Sequence, residues 1–148
     1  MILQTKNKTI NIELKTKNII TICTLLKNKN FEDAFFRAYR ETDLDALSKI
    51  IYALAEEEKE IAFRNLEEVY DFLDSYRKEQ GKGAVELYKE LSEVINNEGF
   101  FSKKMKKKEL EEMISNPLSG TNMNELVQGA AEKAISKIAE EQFAGYKA

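Results

Sequence analysis

The side chains that would have to do chemistry in this chain are few, and their types and spacing count against each reaction in turn. Histidine is absent, which removes the usual general base at neutral pH and the commonest metal ligand. Cys23 is the single cysteine. It has no partner for a disulfide, no companion thiols for a Cys-based metal site, and no base to make it a nucleophile. It falls in the run Ile19-Ile20-Thr21-Ile22-Cys23-Thr24-Leu25-Leu26, where a lone cysteine is expected to act as a small buried hydrophobe. Asp71 with Asp74, and Glu111 with Glu112, are acid pairs of the kind a hard cation uses. Their neighbours, however, are Lys and Arg on what read as solvated helix faces. Gly81-Lys82-Gly83 is too short for a phosphate loop and has no Ser or Thr after its lysine. No catalytic, cofactor or metal site is assigned, and an enzyme is not expected.

What remains is charge and apolar pattern. The chain has 148 residues, 43% of them hydrophobic and 33% charged, with a net charge of −3. That is enough for one domain with a real core and short for two. Net acidity argues against a dedicated nucleic-acid binder, which needs a basic footprint. The charge is uneven: residues 1–30 hold six Lys against one Glu, and residues 56–80 hold nine acids against four bases. Such asymmetry mostly marks solvated faces but can steer a partner. The run Lys103–Lys108 contains five Lys. With acids from Glu109 on and no interleaved aromatics beyond Phe100 and Phe101, it reads as a solvated helix start whose lysines oppose the helix dipole. No signal-type segment and no run of about 20 apolar residues is present, so a cytoplasmic protein without a membrane span is expected.

The elements that must position these residues begin with a hairpin. Ile10, Ile12 and Leu14 alternate with polar residues at the two-residue period of a half-buried strand. Ile2 and Leu3 supply its partner, and Lys6-Asn7-Lys8 the turn. A lone hairpin is marginal in water, so it must lie on helices or add to another sheet. Everything after it reads as helix. Thr16 is expected to cap a helix to about Lys27. Asn30 caps the next, to about Arg40, with Phe31, Ala34, Phe35 and Ala38 on one side. Thr42 to Asp45 read as a capping-box variant, opening a helix with the stripe Leu44, Leu47, Ile50, Ile51 and Leu54. A helix over about 65–79 presents Leu66, Val69, Tyr70, Leu73 and Tyr76, and Gly81 and Gly83 end it. Another over about 84–97 presents Ala84, Leu87, Tyr88, Leu91, Val94 and Ile95, and stops at Gly99.

The last third differs. A helix with Leu110, Met113 and Ile114 precedes a breaker cluster of Pro117, Ser119 and Gly120. Beyond it Met123, Leu126, Val127, Ala130, Ala134 and Ile138 form one stripe of a terminal helix. The fold class is therefore mainly α: a helical bundle with a small N-terminal β-hairpin and a loosely attached C-terminal helix. Residues 1–115 form the hairpin and bundle, and 116–148 the linker and the amphipathic helix. Two readings of that terminal stripe stay open: a core element folded back on the bundle, or the partner-binding face, laid on a client helix in the helix-in-groove manner.

The order of features resembles a known family. The hairpin leads into DLDALSKIIYALAEEE (Asp43–Glu58), NLEEVYDFLDSY (Asn65–Tyr76) and ELYKELSEVINNEGFFSKKM (Glu86–Met105). These runs, over roughly residues 1–110, are similar to the tail assembly chaperones of long-tailed phages and prophages of Gram-positive bacteria. The Gly99-Phe100-Phe101 ending is the most distinctive piece. The resemblance implies a protein that coats the tape-measure protein, keeps its hydrophobic helices soluble and helps recruit tail-tube subunits. It would act in the host bacterial cytoplasm and be absent from the finished virion. It also implies that a longer form made by ribosomal frameshifting can exist, and it leaves room for a homo-oligomer. A small helical DNA-binding regulator using Lys103–Lys108 is the alternative.

Overall fold

The computed structural model describes residues 1–115. Contacts divide the chain into one unit over Met1–Met105 and a second from Lys106 onward. In the first unit, β1 (Ile2–Gln4) and β2 (Thr9–Ile12) form the expected hairpin, closed by Thr5 N–H donating to the Lys8 carbonyl at 2.8 Å. The hairpin does add to another sheet. Helices α1 (Thr16–Leu26), α2 (Phe31–Glu41) and α3 (Leu44–Leu54) follow, and the chain then returns as β3 (Ala55–Glu57) and β4 (Glu60–Ile61). β2 pairs with β3 and β3 with β4, giving an antiparallel sheet in the order β1-β2-β3-β4. Two further helices, α4 (Leu66–Gln80) and α5 (Ala84–Asn97), complete the unit. The second unit contributes one described helix, α6 (Lys107–Ser115).

The β3–β4 hairpin corrects the expectation that everything after residue 15 is helical. Glu56 and Glu57 carry no strand signature of their own. Two lysines hold them: Lys15 Nζ meets Glu56 at 3.1 Å and Lys8 Nζ meets Glu57 at 3.0 Å. Part of the basic N-terminus is thus paired, at the surface, with part of the acidic segment. Lys8 also lies over the Phe63 ring at 5.2 Å, a cation–π contact that fixes the chain leaving β4.

α3 is the central helix, packed by α1, α4, α5 and β2. Its Leu47, Ile50, Ile51 and Leu54 are fully buried, as the stripe implied, but Leu44 is 65% exposed because it opens the helix on the outer side. The cap also differs from expectation. Thr42 ends α2 in the left-handed conformation (φ 50°), so Asp43 becomes the cap and accepts from Ala46 N–H at 3.0 Å. Asp45 instead pairs with Lys49. Asn30 caps α2 as expected, accepting from Asp33 N–H. Thr16 does not cap α1. Lys15 sits at that position without a side-chain bond, and Asn18 Nδ2 donating to the Glu13 carbonyl at 3.0 Å anchors the helix start instead.

α4 turns a different face inward. Val69, Phe72 and Tyr76 are buried, whereas Tyr70 is exposed and Leu66 and Leu73 are half-buried. The cause is the unexpected hairpin, which delivers Phe63 edge-on to Phe72 at 5.6 Å. α5 follows its stripe more closely, with Leu87, Tyr88, Leu91 and Ile95 buried and Ala84 and Val94 at the margin.

An aromatic cluster joins α2 to the chain after α5. Phe31, Phe35 and Phe36 surround Phe101, with ring centroids 4.9–6.2 Å from it. Tyr88 stacks on Tyr39 at 5.3 Å, and its hydroxyl donates to the Asp43 carbonyl at 2.6 Å. Gly99, at φ 83°, turns the chain out of α5 and back toward this cluster, a conformation that favours glycine. Asn96 then holds the returning segment: its Nδ2 donates to the Met105 carbonyl and its Oδ1 accepts from the Met105 N–H, both at 2.8 Å.

Candidate functional site, an apolar helix face edged with lysines

A surface helix ordinarily devotes one stripe to the core, and a helix that is apolar all round needs cover on more than one side. Helix α1 carries apolar residues beyond its inner face, although Thr16, Lys17, Thr21 and Thr24 are exposed on it as well. Between Ile19 and Leu26 its polar residues are Thr21 and Thr24 alone. Its inner face is Asn18 and the fully buried Ile22, packed toward α3. The other side is uncovered: Ile20 is 59% exposed, Thr24 is exposed, and Ile19 and Cys23 are half-buried. The expectation that Cys23 is buried is therefore corrected. It stands on the outer flank of the helix, one position round from Ile22.

The turn after α1 gives this face a wall. Lys27 closes the helix in the left-handed conformation (φ 57°), its N–H on the Cys23 and Thr24 carbonyls. Asn28 spans the turn, donating to Asp33 and accepting from Asn30 N–H, both at 2.9 Å. This brings Lys29 and Phe31 beside Cys23, whose Sγ is 3.7 Å from the Lys29 carbonyl. The result is an open groove of about 590 Å³ with an apolar floor. Burial pushes the Cys23 thiol above its usual value, which lowers its thiolate fraction and slows its reactions without sealing it from solvent.

Lys27 and Lys29 stand on the rim, and Lys17 lies one turn before Ile20 on the same face. No Asp or Glu occurs from Leu14 through Phe31. These three lysines are exposed and, unlike Lys8 and Lys15, make no ion pair among the described residues. The signal was present in the sequence as an apolar run within an acid-free stretch. Read as core, it concealed that one side of it is open.

A second surface is the outer face of the sheet, where the register sets Ile2, Asn11, Glu56 and Ile61 in one row. Ile2 and Ile61, at its two ends, are 67% and 78% exposed. The end of α4 partly closes the β1 edge: Gln80 Nε2 donates to the Gln4 carbonyl and Glu79 accepts from Lys6 N–H.

The other sequence candidates are placed as follows. Asp71 is exposed, and Asp74 pairs with Arg77 at 3.1 Å. Glu111 and Glu112 are exposed on α6. Lys82 pairs with Glu90, whose hydrogen bond raises the lysine's pKa. Among the described residues no group of three or more His, Cys, Asp or Glu side chains is placed to hold a metal. No helix among them is long and apolar enough to cross a membrane. Lys103, Lys104, Lys106, Lys107 and Lys108 are exposed, while Met105 between them is buried. The stripe Met123, Leu126, Val127, Ala130, Ala134 and Ile138 lies outside the described residues. No family model matches the chain, and neither a curated protein nor a solved structure matches it.

Proposed function

We propose that this protein is a phage tail assembly chaperone, not an enzyme, that binds the tape-measure protein in the host bacterial cytoplasm and supports tail-tube assembly. The observation that carries the reading is the order of runs from the hairpin to Gly99-Phe100-Phe101, which resembles that family over roughly residues 1–110. Phe101, in the most distinctive piece, sits in the aromatic cluster that joins α2 to the chain after α5. An uncovered apolar helix face suits a protein that works by holding another. The stripe from Met123 to Ile138 is proposed as the clasp on the client helix, its small Ala130 and Ala134 giving a contact weak enough to release.

The test is co-expression with the long tape-measure protein that this reading expects to be coded downstream of the gene. The tape-measure protein is expected to be soluble and to co-purify with the full chain. Deleting residues 118–148 is expected to leave a folded protein that no longer keeps it soluble. A tape-measure protein that stays insoluble beside the full chain would overturn the reading. The alternative, a small DNA-binding regulator, draws on the exposed lysines of Lys103–Lys108. Its mark would be a mobility shift that persists at physiological salt, whereas the chaperone reading expects at most weak, salt-sensitive binding.

A further inference from the structure

We infer that the groove beside α1 is a docking site for an amphipathic helix of a partner protein whose apolar stripe is flanked by Asp or Glu. The floor argues for an apolar stripe: Ile20 stands most open, and Ile19, Cys23 and Phe31 lie along the groove. The rim argues for acids. Lys17, Lys27 and Lys29 face solvent without a carboxylate among the described residues, in a stretch that has none of its own. A helix laid along α1 puts its stripe on that floor and its flanking carboxylates within reach of the lysines, so both features are used by one occupant.

Other occupants use only half of the site. Single-stranded nucleic acid needs exposed aromatic faces for stacking, and the one ring here, Phe31, is 7% exposed. A membrane-surface helix must present a broad convex apolar face, whereas the Lys27–Phe31 turn makes this one concave. The assignment stands on the groove alone and does not require the chaperone reading.

The probe is a synthetic amphipathic peptide of about 18 residues, long enough to form a helix on the surface. It carries leucines at helical spacing and glutamates on the flanks, and a twin carries lysine at each glutamate. Binding to the full chain is read by fluorescence anisotropy at about 0.15 M salt, where exposed charges still act over about 8 Å. The glutamate peptide is expected to bind at least about tenfold more tightly than its twin, roughly 1.4 kcal/mol, and to slow maleimide labelling of Cys23. Ile20→Glu, at an exposed position, should abolish binding of the glutamate peptide. Lys27→Glu with Lys29→Glu should reverse the preference, a result that a merely damaged fold cannot give. Equal affinities, no binding, or binding indifferent to both variants would overturn the inference. So would capture of anionic phosphatidylserine vesicles without discrimination between the peptides. No client protein enters the assay, so its failure is separate from failure of the chaperone reading.

Discussion

Asn96 illustrates how one side chain decides a local fold. It is buried at 5% exposure and satisfies both backbone groups of Met105, which would otherwise be sealed from water without partners. Removing one partner of a buried bond costs more than the bond contributes, because the group left behind stays desolvated. Asn96→Ala is therefore expected to cost about 1–3 kcal/mol in urea unfolding, and a change under about 0.5 kcal/mol, the surface range, would contradict the clip. Phe101→Ala is expected to cost about 3–5 kcal/mol, as for a large aromatic lost from a packed core. Leu91, Tyr88 and Phe35 were legible as core because each falls on an apolar stripe. Asn96 was not, since periodicity cannot show that a polar residue in a stripe meets a backbone segment returning from beyond the helix.

At the scale of elements, the helices were legible and the second hairpin was not. Helix positions follow from Asn30, Gly81 and Gly99, whose cap or turn chemistry is local. The β3–β4 hairpin has no such signal. Its two-residue turn, Glu58-Lys59, holds both residues at positive φ (52° and 70°), where Asn-Gly is the usual pair. Long-range pairing with β2 overrides that local cost, and the same blind spot misdirected the face of α4. Replacing the turn with Asn-Gly (Glu58→Asn, Lys59→Gly) is expected to raise the urea midpoint, a gain of about 0.5–2 kcal/mol. An unchanged or lowered midpoint would mean that the turn is not strained. The helix starts also set an acid limb. Glu68 accepts from Arg64 N–H and Glu86 from Gly83 N–H, and these bonds hold both carboxyls below the usual range. Their stabilisation is complete above the ordinary glutamate value of about 4.3 and is lost as pH falls through the lowered folded values. Glu68→Gln with Glu86→Gln should lower the urea midpoint at pH 7 and narrow its fall below about pH 4.3. A parallel fall in both proteins would remove these caps from the account.

For the molecule as a whole, the charge asymmetry of the sequence resolves into two uses. Lys8 and Lys15 pair with Glu57 and Glu56 of β3, while Lys27 and Lys29 stand on the rim of the groove and Lys17 on the same face of α1, without an ion pair among the described residues. The sequence could not separate them, because which lysines find acids depends on the return of β3. That return has a further consequence, in the order of synthesis. β1 and β2 leave the ribosome before α1, α2 and α3, yet the strand that completes their sheet comes only after these three helices. A hairpin alone is marginal, so Leu3, Ile10 and Ile12 wait uncovered while α1 to α3 are made. The ordering cost of closing so long a loop falls on the last strand to arrive. Chains stalled before Ala55 emerges are expected to exchange the Leu3 and Ile10 amide hydrogens freely, and chains extended past Ile61 to protect them. Early protection would mean that the hairpin nucleates the fold. Late protection would make closure of this small sheet a midpoint of the first unit, reached before α4 and α5 are added, with its two N-terminal strands held as a bookmark until the chain comes back to them.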